Sequence, residues 1–230
     1  MKKVEFEGLR RMFLIGIIFS AVTVIGGEMP IGWTVYPKAD NELISNILGF
    51  ANLSMPQLAC GVIFGSIGIP LQYYGYKAIG EIVEKGGNKK CGKVINLGAK
   101  AIAFWGAIVH VVSTALMFVC RLEKNSEMKD IPQNILDFAL WLVLPITAVF
   151  MVFYIPMTVA MIIPVIKGKT VFPKWAVVFN PIFFMMIINC LPYFAPNTEF
   201  VNGIRMSNMG IGSFVTFAGL MMLLNQHEKK

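Results

Sequence analysis

Residues 12–29 read Met-Phe-Leu-Ile-Gly-Ile-Ile-Phe-Ser-Ala-Val-Thr-Val-Ile-Gly-Gly-Glu-Met, an apolar run whose one charge, Glu28, stands at its far end. Lys2, Lys3, Arg10 and Arg11 come before it. At about 1.5 Å per residue, a helix of this length covers most of a ~30 Å hydrocarbon core. A basic flank and apolar run also describe a secretory leader. This run is long for one and closes in Gly-Gly-Glu-Met-Pro, without a small-residue cleavage site. It reads as a retained first membrane helix.

Five further runs of the same kind follow, at roughly 57–79, 94–120, 138–166, 175–194 and 207–225. Pro145, Pro156 and Pro164 lie in the fourth of the six and remove backbone donors, so that helix should bend or end there. Hydrophobic residues make up 56% of the 230 and charged residues 14%. A typical soluble domain carries about 25% charged residues. Too few polar groups are present to cover a water-facing surface of this size. The expected fold is all-α: one polytopic membrane bundle of six transmembrane helices over residues 1–230. No internal repeat is evident.

The net charge of +7 could point to nucleic acid. The basic residues instead sit in short clusters between the apolar runs, with no stripe and no interleaved aromatics. They act as topology signals, and no nucleic-acid partner is expected. With six spans, fifteen of the 20 Lys and Arg fall on one side. Lys38, Arg121, Lys124, Lys129 and Arg205 fall on the other. The positive side is cytoplasmic. Both termini are therefore expected inside a cell (inner or plasma) membrane.

The longest outer connection runs from about 30 to 56. Asp40 or Asn41 could cap a helix over 42–52, with Leu43, Ile44, Ile47, Leu48 and Ala51 on one face. Such a helix lies on the outer leaflet or lids the bundle; a plain folded connector is the alternative. Cys60, Cys91, Cys120 and Cys190 form no CxxC pair, so neither a metal nor any other cofactor is expected. They read as packing residues. A disulfide among Cys60, Cys120 and Cys190 is the other reading if the outside is oxidising.

A few polar residues fall where hydrocarbon should be. His110 lies about 5 Å outward of the centre of its span, and Asn189 about 7 Å outward of its own. An ionisable group at that depth faces the bundle interior, because lipid exposure is costly. The two are expected to face each other. The functional reading of His110 is a ligand-binding or proton-relay imidazole; its ordinary reading is a neutral, hydrogen-bonded core histidine. Glu28 and Arg205 flank the outer ends of spans one and six, where they either pair or snorkel separately. With Asn208 these four residues make up a set of ligand-binding candidates lining an outward-facing vestibule. Asn180-Pro181 reads as structural. Gly61-Val-Ile-Phe-Gly65, extended by Gly68, is a small-residue face for close packing inside the bundle, or for a homo-oligomer contact.

No catalytic motif is present. Gly65-Ser-Ile-Gly68 and Gly210-Ile-Gly-Ser213 do not match the GxSG of intramembrane serine proteases, and there is no HExxH, paired-Asp motif or P-loop. The chain resembles a bacterial six-helix membrane family without assigned function. The residues that carry the resemblance are Gly26-Gly-Glu-Met-Pro-Ile-Gly-Trp33, Lys174-Trp175, Asn180-Pro181, Asn208 and Gly210. A weaker similarity runs to the Frag1/DRAM/Sfk1-like six-helix proteins, which also have a substantial first outer loop. Neither implies catalytic residues. The expected function is non-enzymatic: binding or moving a small molecule or lipid through an outward-opening pocket, with membrane lipid as the standing partner. The alternatives are a membrane-embedded enzyme using Glu28 or His110 as acid/base, and an accessory or immunity protein.

Overall fold

The computed structural model describes residues 3–39, 41–124 and 130–228. It is all-α, with no strand among the described residues. Five helices are long and apolar enough to cross a membrane: α1 (Glu5–Gly32), α3 (Met55–Lys85), α4 (Lys89–Leu122), α5 (Gln133–Ile166) and α8 (Asn208–Glu228). Between them lie the shorter α2 (Glu42–Ala51), α6 (Pro181–Asn189) and α7 (Glu199–Met206). The outward faces of the long helices are apolar, as at Ile25 of α1, Phe104 of α4, and Trp141 and Val152 of α5. A surface of that kind fits lipid better than water.

One expectation about these helices, that the proline-bearing span bends or ends, is narrowed, and a second needs correcting. Helix α5 does not end at its prolines but runs through Pro156 and Pro164. Tyr154, Met157, Ala160 and Met161 are buried on both sides of Pro156, so packing holds the helix across the lost donor. The 175–194 stretch, expected as one helix, is broken. It consists of a 3₁₀ turn at Lys174–Val178, α6, and a second 3₁₀ turn at Leu191–Tyr193. Asn180 is extended and restarts the chain, its side chain accepting from the Ile182 amide at 3.1 Å. Its amide nitrogen donates to the Thr158 carbonyl on α5 at 2.9 Å. The structural reading of Asn180 therefore holds. A helix the length of α6 spans only about 14 Å.

The broken stretch nevertheless runs the length of the bundle. Arg10 pairs with Glu228 and donates to Asn225 Oδ1 at 2.6 Å, so the start of α1 and the end of α8 meet at one end. Lys85 pairs with Glu5 at this terminal end, 3.6 Å apart. The Lys169 carbonyl packs against Gly86 beside them. At the far end Asn197 is tied to Tyr36, donating to its carbonyl at 2.6 Å and accepting from its amide at 3.2 Å. The chain between 169 and 197 thus travels from one end to the other, packed on α8.

Neighbours run α6, α8, α1, α3, α4, α5 around the bundle. The half nearer the termini is filled. Phe13, Ile82, Ile95, Met157, Phe217 and Leu224 are all buried in one apolar cluster there. At the far end α2 lies across the bundle. Asn41 caps it, accepting from the Leu43 amide at 2.8 Å; Asp40, named beside it as a cap, lies outside the described residues, as do Lys2, Lys129, Lys229 and Lys230 of the charge pattern. Ile47 packs on Cys120 and Ile135, so α2 lids the ends of α4 and α5. Ile44 and Ala51 share that buried face, whereas Leu43, expected there, is 49% exposed. The four cysteines are free thiols.

The GxxxG face is used within the chain. Gly61 faces Ile31 of α1 and Thr114 of α4, Gly65 faces His110, and Gly68 faces Thr23. Small residues let these three helices approach closely.

Candidate functional site

The half of the bundle away from the termini is not filled. Helices α1, α3, α4, α5 and α8, with Met206 of α7, line a cavity of about 200 Å³. Two of its walls come from π-helical turns, Thr23–Glu28 in α1 and Ile102–Gly106 in α4. An extra residue per turn re-aims side chains, and such turns are frequent at functional sites.

Glu28 closes the first of these turns and lines the cavity, 7% exposed. It packs against Gly210 of α8, whose backbone N–H is turned toward the carboxyl group. A Cβ at position 210 would lie 2.3 Å from Oε2, so glycine is what admits the side chain. Oε2 makes no hydrogen bond, and no ion pair reaches Glu28 among the described residues. Among the described residues, no Lys or Arg lines the cavity. A carboxylate in such a wall carries a desolvation cost of several kcal/mol, which the Gly210 N–H offsets only in part.

His110 projects from α4 into the space left by Gly65, and its Nε2 lies 3.0 Å from the Gly61 carbonyl. A carbonyl only accepts, so Nε2 carries the proton and donates. Thr114 Oγ1 in turn donates to the His110 carbonyl at 2.8 Å. Deeper in the wall, Gln72 donates to Thr23 Oγ1 at 3.2 Å, and Thr23 donates to the Phe19 carbonyl at 2.8 Å. Tyr76 Oη and Ser213 Oγ are 2.7 Å apart. Ser213 donates its hydrogen to the Met209 carbonyl at 3.0 Å, so Tyr76 is the donor of that pair. On α5, Tyr154 is buried with no partner for its hydroxyl among the described residues. It stands close enough to Tyr76 and Glu28 to interact with both electrostatically. Ile69, Val109, Met117, Phe150 and Met209 make the rest of the wall apolar.

Of the five expected ligand-binding residues, three share this wall: Glu28, His110 and Asn208. Asn189 does not. It is exposed and accepts from Asn208 Nδ2 at 3.1 Å, so the expected His110–Asn189 contact is replaced by His110–Gly61. Depth counted along an unbroken helix placed Asn189 wrongly, because the chain restarts at Asn180 and α6 packs outside the cavity wall. Arg205 does not meet Glu28 either. Its guanidinium sits over the Tyr36 ring, 5.1 Å from the centroid, in a separate hollow bordered by Glu42, Asn197 and Asn202. Burial pushes the Tyr36 hydroxyl above the usual tyrosine range, with the Arg205 charge pulling the other way.

Gln72, Tyr76, Tyr154 and Ser213 were not singled out by the sequence. Gln72 had a usable signal, an amide near the midpoint of a long apolar helix. The tyrosines had none, since a buried aromatic is ordinary in a helix.

A family model described as "Family of unknown function (DUF6796)" matches residues 1–227. The chain belongs to this family. No curated protein and no solved structure matches it. The similarity to Frag1/DRAM/Sfk1-like proteins is not shown.

Proposed function

We propose that this member of the family is a cell-membrane protein that crosses the bilayer six times and takes up a small molecule from the outer side. Five crossings are the long helices and the sixth is the broken path from 169 to 197. This is supported by the termini meeting at one end, which an odd number of crossings would forbid. The positive clusters put that end inside. The uptake site is the cavity between α1, α3, α4, α5 and α8. The observation that carries this reading is Glu28: a carboxyl group without a counter-charge, held in the wall of the cavity. Ionisable residues inside membrane helices mark ligand or ion pathways by default. Glu28 and His110 make no mutual hydrogen bond, so binding is favoured over the acid/base reading.

Two labelling experiments in a cysteine-free background test it. Lys38→Cys and Glu199→Cys should react only from outside, and Lys90→Cys, Lys169→Cys and Gln226→Cys only from inside. Lys169→Cys and Glu199→Cys reacting from the same side would refute the sixth crossing. For the cavity, Ser113→Cys should react with the neutral reagent methyl methanethiosulfonate added outside. Ser113 lines the cavity about one turn beyond His110 on α4. A thiol there that reacts only after unfolding means the space is closed, and the uptake reading fails.

A further inference from the structure

Most polar groups of the cavity wall have their donors already in use. Tyr76 donates to Ser213, and Ser213 to the Met209 carbonyl. His110 donates Nε2–H to the Gly61 carbonyl. Asn208 Nδ2 donates both to Asn189 Oδ1 at 3.1 Å and to the Arg205 carbonyl at 2.8 Å. Gln72 uses an amide hydrogen on Thr23. What remains is mostly acceptor capacity: the Glu28 carboxyl, His110 Nδ1, the phenolic oxygens of Tyr76 and Tyr154, Asn208 Oδ1 and the Gln72 carbonyl, against the unused hydrogens of the Tyr154 hydroxyl and of Gln72 Nε2.

Resting on the cavity reading above, we infer that the ligand is a small protonated amine with an apolar body. Its N–H groups meet acceptors that outnumber the unused donors of this wall, and its charge offsets Glu28. A cation is also favoured over the π-faces nearby, where Phe150 and Tyr154 stack with centroids 5.3 Å apart. A bare metal ion fits less well. It needs about six oxygen ligands, whereas this wall is largely apolar and encloses about 200 Å³. Anions meet a carboxyl group and no cation. Quaternary ammonium ions carry charge but bring no N–H.

The test is protection of Ser113→Cys from methyl methanethiosulfonate in proteoliposomes, using benzylammonium, butylammonium, benzyl alcohol and benzyltrimethylammonium. At least one amine should protect at concentrations about 10- to 100-fold below benzyl alcohol, the ratio expected for hydrogen bonds to a charged acceptor. Benzyltrimethylammonium should fall short of the amine. Glu28→Gln should erase the preference while Ser113→Cys still reacts at its original rate, showing that the cavity is intact. Equal protection by benzyl alcohol, no protection by either amine, or a preference that survives Glu28→Gln would each overturn the amine assignment. Ser113→Cys labelling without any protector then still reports on the cavity separately.

Discussion

Gly65→Ala is expected to destabilise the protein by about 2–4 kcal/mol, combining overpacking with a lost hydrogen bond. The added Cβ would lie 2.0 Å from His110 Cδ2 and 2.3 Å from Nε2. The imidazole cannot swing aside cheaply, because it is buried and bonded to the Gly61 carbonyl one turn away. The readout is thermal or denaturant unfolding of the purified protein in detergent. Val62→Ala, on the exposed side of the same helix, should change little. Adding His110→Ala to Gly65→Ala should recover most of the loss, since the clash goes with the ring. A Gly65→Ala protein as stable as the parent, or a double variant worse than either single one, would mean that His110 does not occupy this niche.

Asn202→Ala should free the long outer loop. Asn202 is 4% exposed and its Nδ2 lies 2.8 Å from the Thr34 carbonyl and 2.7 Å from Asn197 Oδ1. Asn197 in turn holds both backbone groups of Tyr36. Removing Asn202 leaves a buried carbonyl without its partner, a loss of about 1–3 kcal/mol. The effect should be local: faster amide exchange, by about 5- to 100-fold, confined to residues 33–38 and 197–202. Helix α3 should be unaffected, since Gln57 holds its start independently, donating to the Pro30 and Trp33 carbonyls. Unchanged exchange at Tyr36 would show that the loop is held by the Thr34–Gly49 bond and α2 packing instead.

How far the sequence reaches is clear at particular residues. His110 could be placed inside the bundle from depth alone, because the bilayer penalises a polar group facing lipid whatever its neighbours are, whereas Glu28 could be placed only at the outer end of its span. Their partners could not be. Each partner is a backbone group beside a glycine, the Gly61 carbonyl for His110 and the Gly210 amide for Glu28. A glycine in an apolar helix signals close approach without saying what approaches. Gly65 was legible as packing, yet only the fold shows that it is His110 that it admits. Arg205 was matched to Glu28 by charge and level, but it lies on the far side of α7, over Tyr36.

By itself, the sequence determined that this chain is helical and apolar on its outside, with clustered positive charge and a few polar groups held inward. Those properties follow from terms that act residue by residue: hydropathy, helix length and the cost of a charge in hydrocarbon. The breakage of 175–194 and the existence of the cavity were decided by tertiary structure alone. Both depend on which helices touch. Asn180 restarts the chain where Thr158 offers a carbonyl, and α6 then packs outside α8 instead of filling the centre. The space left between five helices is a property of their arrangement, and no single stretch of sequence encodes it.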